Sequence, residues 1–160
     1  MKMFAQMIVV DSRLDRILLV RHKTGEMSGY YTGLLGEISE NETPQEAAIR
    51  IAQDMCGISV QEAELRAVFE FTFDDSDAET EYEYYTTLYN GRPQETAHIK
   101  PEWFEIEKIP YLLMPGDDAV WYPPFLQGKL QRGKFHLARD YKTLLHYEVN
   151  EVDAFCELSH

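Results

Sequence analysis

Residues 36–58 read GEISENETPQEAAIRIAQDMCGI, and the stretch carries a complete set of helix punctuation. TPQE at 43–46 is a capping box. The Thr43 hydroxyl can accept from the Glu46 amide while the Glu46 carboxylate reaches back to the Thr43 amide. Pro44 suits the first helical position, where its missing N–H has no partner to lose. Gly57 supplies the stop. Between them Ala48, Ile51, Ala52 and Met55 recur at i, i+3, i+4 and i+7, the stripe of a helix with one buried face. The spacing predicts a helix over 44–56. Residues 51, 54 and 55 share one side of it, so Ile51, Asp54 and Met55 project together.

Outward from this helix the chain is mostly extended. Residues 3–10 and 16–21 read as strands joined by the polar turn 11–15. Gly25, Gly29, Gly33 and Gly36 make 24–36 a loop with short extended pieces. Residues 65–73 and 79–89 are long β-rich runs on either side of the acidic turn 74–77, and EWFEI at 102–106 is another strand. Residues 117–127 read as a helix strained by Pro123 and Pro124, followed by a closing hairpin at 134–138 and 143–149. The sum is an α+β chain in which a mixed sheet is sandwiched between helices, with one domain over 1–152 and a loose tail at 153–160.

The chain has 160 residues, 44% of them hydrophobic, and a formal net charge of −13. That length supports a real core. Such acidity makes general nucleic-acid binding a poor expectation but leaves room for a small phosphorylated ligand screened by a divalent cation. Cys56 and Cys156 are the only cysteines, too few for a disulfide framework or a zinc site, which fits a reducing cytoplasm. The apolar run at the N-terminus is too short for a signal segment or a membrane span.

The frame Gly36, Glu42, Arg50, Gly57, Ile58 resembles the Nudix box, the loop–helix–loop that holds catalytic magnesium in a family of nucleotide-diphosphate hydrolases. The resemblance spans residues 3–152. It is closest to the MutT-like branch that hydrolyses oxidised purine nucleoside triphosphates, with GYYTGLLGEISENE matching the substrate-access loop, MPGDDAVWYP an Asp pair that reads the base, and KFHLARDYKTLLHYEV the last hairpin. It implies a Nudix fold, a small nucleotide ligand and Mg2+ or Mn2+. The family's pattern wants Glu at 51, 54 and 55, and this chain has Ile51, Asp54 and Met55. Only Asp54 keeps an oxygen ligand, so weak metal binding is expected. Ile51 and Met55 read as part of the apolar stripe.

By the same resemblance Glu42 and Arg50 brace the loop, Gly36 lets backbone approach ligand or metal, and His98 aligns with a further carboxylate ligand. A solvent-facing loop histidine accounts for His98 as well, whereas Glu81 and Glu83 on the facing strand offer substitute acids. Asp117 and Asp118 could share a proton and so both donate to and accept from a purine edge. They could equally be the N-cap and first-turn acid of the next helix, and both can hold together. Tyr31, Thr32 and Pro115 occupy the other base-pocket positions. Two functions stay open: a Nudix-type hydrolase of a nucleoside triphosphate or related diphosphate linkage with an impaired metal site, or a non-catalytic Nudix-fold protein that binds a nucleotide or a partner.

Overall fold

The computed structural model describes residues 2–74 and 76–155. Strand β1 (Lys2–Asp11) is central. It pairs in parallel with β7 (Glu79–Thr86) along one edge and antiparallel with β4 (Leu34–Glu37) and then β2 (Arg16–His22) along the other. Outward from β7 run β6 (Glu64–Phe73), β10 (Leu130–Leu137) and β11 (Leu144–Val152). Beyond β1, β2 carries β3 (Tyr31–Thr32) and β9 (Ile99–Glu105). The sheet is mixed because β1–β7 and β6–β10 are its parallel pairs among the described strands.

Alternation along the strands builds two cores. Ala5, Met7 and Val9 of β1, with Leu18, Val20 and Tyr84, pack under helix α1 (Pro44–Cys56). Ile8 and Val10, with Phe69, Phe71 and Phe135, pack under helix α2 (Asp118–Leu126), whose Trp121, Tyr122 and Phe125 are wholly buried. The sandwich of sheet between helices is therefore as the sequence predicts. Both capping-box hydrogen bonds form at Thr43 and Glu46, and Gly57 takes a left-handed φ of 75° that an L side chain rarely adopts. α2 tolerates Pro123 and Pro124 inside its nine residues.

Strand ends differ from the sequence reading where a side chain or a distant partner intervenes. The run 79–89 divides, because the Thr86 hydroxyl donates to the Glu62 and Leu88 carbonyls and turns the chain. Tyr89–Asn90 (β8) then pairs with Ser59–Val60 (β5) in a separate ribbon. β9 starts at Ile99, earlier than the predicted 102, since its whole length is paired with β2, and Ile106 enters a short 3-10 turn. The closing hairpin is longer than predicted at its open end, starting at Leu130 and finishing at Val152, and one residue shorter on each side of its turn. Of the predicted tail, 156–160 lies outside the described residues, as does Asp75 of the acidic turn. No helix among the described residues is long and apolar enough to cross a membrane.

Candidate functional site

The box region keeps its scaffold. Arg50 donates to Glu42 through both Nε and Nη2, at 2.9 and 2.7 Å, and to the Glu37 carbonyl at 2.9 Å. Hydrogen bonds from Arg50 are the leading reason the Glu42 carboxyl is held down to about 2. This fork ties the 37–42 loop to α1. Ile51 is buried, and its Cδ1 and Cγ1 lie 3.0 Å from where a Cβ on Gly36 would stand. The close approach over Gly36 is thus filled by the isoleucine. Met55 packs partly buried on the same core. Asp54 is 64% exposed and faces Arg50 at 3.5 Å. Among the described residues no three His, Cys, Asp or Glu side chains converge as metal ligands would. The donor set on the helix therefore does not by itself fit a magnesium ion.

On the opposite side of the sheet lies a cavity of about 250 Å³. Its walls are apolar and aromatic, from Phe4, Leu35, Phe71, Phe73 and Pro115, and its floor carries Gln6, Glu81, Asp117 and Asp118. Glu83, fully buried, stands behind that floor. Gln6 accepts from the Gly33 amide at 2.8 Å, which leaves its Nε2 to donate to Glu83 Oε1 at 3.0 Å. Asp117 accepts from the Trp121 indole N–H at 2.8 Å and makes no side-chain bond to the amides of α2. Asp117 does hold the N-cap position and Asp118 is the first-turn acid, but the Asp117 carboxylate makes no capping bond and is spent one turn into the helix.

Desolvation raises all four carboxyls, with Glu83 pushed up to about 8. The Glu83 charge adds to the rise at Glu81, and the Asp117 charge to that at Glu83 and Asp118. At Asp117 the indole N–H and the Asp118 carboxyl stabilise the ionised form and limit the rise. The pair thus settles with Asp118 holding the proton and Asp117 accepting. Its position is set by the last hairpin. Lys142 donates to the Tyr111 and Met114 carbonyls at 2.8 and 2.9 Å, and Gly116 donates its N–H to the Tyr141 carbonyl. A Cβ on Gly116 would stand 2.1 Å from the Lys142 carbonyl oxygen, so no side chain fits there.

The Nudix domain pattern matches residues 1–128 of this chain. The chain belongs to the Nudix family. Among individual relatives it is 31% identical to the oxidized purine nucleoside triphosphate hydrolase of Mus musculus over 149 residues, covering 92% of this chain and 95% of that protein. The protein of the same name from Danio rerio is 28% identical over 95% of this chain and 96% of its own length. In three dimensions the chain superposes on the MutT mutator protein of Bacillus halodurans with a TM-score of 0.83 at 24% identity, covering 94% of this chain and 98% of that one.

Within this Nudix framework Tyr31 and His98 lie away from the cavity and Thr32 lines it. The Tyr31 hydroxyl donates to Glu102 at 2.9 Å and its ring meets Phe104 edge-on, and it does not line the cavity. Thr32 does line it, but its hydroxyl already donates to the Gly33 carbonyl at 2.7 Å and accepts from His22 Nε2 at 2.8 Å. His98 bonds the Thr24 hydroxyl at 3.0 Å on an exposed loop. Glu81 and Glu83 cannot stand in as ligands beside Asp54. On β7 they alternate with Tyr82 and Tyr84, which face α1, so the acids face α2. Their place, Glu81 on the cavity floor and Glu83 buried behind it, was missed in the sequence. The i, i+2 spacing of two Glu in a β-rich run was the available signal.

Proposed function

We propose that this protein binds a purine nucleotide with its base in the cavity under α2, and acts as a Nudix-type hydrolase of a nucleoside triphosphate or related nucleoside diphosphate linkage. The relatives named for oxidised purine nucleoside triphosphates support the substrate class, and the Asp117–Asp118 pair carries the reading. A protonated Asp118 beside an ionised Asp117 presents one donor and one acceptor at the closed end of an aromatic slot, as a purine edge requires. Mg2+ or Mn2+ is the metal the family calls for. Asp54 is the one carboxylate the helix offers to it, with Glu42 and Arg50 as scaffold, so weak metal binding and slow turnover are the expectation. The second reading, a protein that binds the nucleotide without cleaving it, is favoured by Ile51, which seals the space over Gly36 with methyl groups. A reducing cytoplasm suits either.

Asp117→Asn and Asp118→Asn should each weaken binding of a purine nucleoside monophosphate about tenfold, because a fixed amide replaces a shared proton. Affinity should also fall as pH rises and Asp118 loses the proton it donates. Isothermal titration of both variants and of the parent across pH checks this. Unchanged affinity in both variants would remove the base from this cavity.

A further inference from the structure

The cavity floor holds more acid than a neutral base can use. Glu81 lines the floor beside the Asp117–Asp118 pair and buried Glu83 stands behind it, so four carboxyls share one desolvated space. Among the described residues the side-chain N–H groups that reach them come from Gln6, on Glu83, and Trp121, on Asp117, and otherwise the acids meet each other, Glu81 with Glu83 and Asp117 with Asp118. Among the described residues the second Glu83 oxygen is buried without an N–H donor, and the wholly buried Tyr122 hydroxyl finds no hydrogen-bond partner. Buried polar atoms are rarely left so, and leaving them costs stability. Glu26 and Glu79 extend the acid character to the walls, against Lys2 as the lining cation.

A neutral purine needs one donor and one acceptor, which the aspartates supply alone. The glutamates add desolvation cost and gain nothing from such a ligand. A positive charge changes the balance, since it lets the buried acids ionise next to an opposite charge. A metal ion is a poor occupant, because no three of these acids converge on a common point among the described residues. A small aliphatic ammonium would leave the aromatic walls unfilled. A flat delocalised cation satisfies both surfaces, its faces against Phe71 and Phe73 and its edge against the carboxyls.

We propose that this pocket prefers a purine carrying a fixed positive ring charge, as ring-nitrogen alkylation produces, over the neutral base. The inference rests on the reading of the cavity as a base pocket. Alkylation can come on guanine or on adenine, and Glu81 and Glu83 are the residues that set the preference.

The test is titration of the whole protein with 7-methylguanosine monophosphate and 1-methyladenosine monophosphate, each against its unmethylated parent. At least one methylated nucleotide should bind about tenfold more tightly than its parent, the scale of a partly desolvated charge pair, and the one that does identifies the base. Glu81→Gln and Glu83→Gln should each cut that ratio severalfold. A merely structural role would weaken methylated and parent nucleotides equally. Should Glu83→Gln not fold, Glu81→Gln at the cavity surface carries the same test. Parents that bind with no gain on methylation would overturn the charge preference and leave the base pocket standing. If neither parent nor methylated nucleotide binds, the base pocket fails, and this inference with it.

Discussion

Lowering the pH from about 8 to about 5 is expected to stabilise this protein. The cause is the buried acid cluster. Glu83 ordinarily ionises near 4.5 in an unfolded chain and is pushed up to about 8 in the fold. Between these values the folded protein holds a proton that the unfolded chain has lost, so stability falls as pH rises through the window. Glu81 and Asp118, also raised well above the usual carboxylate range by burial, act in the same sense. Glu42 works in the opposite sense. Its folded value of about 2 adds stability above 4.5 that disappears as pH drops toward 2. The two together place the maximum near pH 5. Glu83→Gln keeps the acceptor that Gln6 needs and removes one ionisation. It should raise stability at pH 8 by on the order of 1–3 kcal/mol and flatten the slope above pH 5. Thermal unfolding of both proteins from pH 4 to pH 9 measures this, and parallel curves would mean that Glu83 is not the group responsible.

Ile51→Glu combined with Met55→Glu is the change with the largest expected effect on activity. It places two carboxylates beside Asp54 on the side of α1 that the Nudix frame turns toward the loop of Gly36. If the rest of the frame is sound, hydrolysis of purine nucleoside triphosphates in magnesium should rise on the order of 100-fold. A loss of about 1–3 kcal/mol in stability should accompany it, because Ile51 leaves its contact with Gly36 and the core. A double variant that folds and hydrolyses no faster would show that the limit lies elsewhere, in Gly36 or in the loop.

The sequence made α1 legible to the residue, since capping box, proline and terminal glycine are all local signals. The long strands were legible for the same reason, through alternation. What depended on distant partners was not. Tyr31 was placed in the pocket by position, yet its hydroxyl answers to Glu102, and that meeting follows from the pairing of both β3 and β9 with β2. Asp117 looked like a helix cap, whereas Trp121, four residues on, competes for its carboxylate. The acid cluster was hardest to see. Glu81 and Glu83 sit on one face by simple alternation, but their burial comes from Gln6 on the parallel strand β1 and from the start of α2.

The most direct measurement compares a purine nucleoside monophosphate with its triphosphate by titration calorimetry, each with and without magnesium. If the base pocket survives while the metal site is depleted, the two nucleotides bind within a few-fold of each other and magnesium changes little, since most of the grip comes from the base edge. Tight triphosphate binding only in magnesium, with family-like hydrolysis abolished by Asp54→Asn, would contradict the account and show that Asp54 with few helpers holds the metal after all.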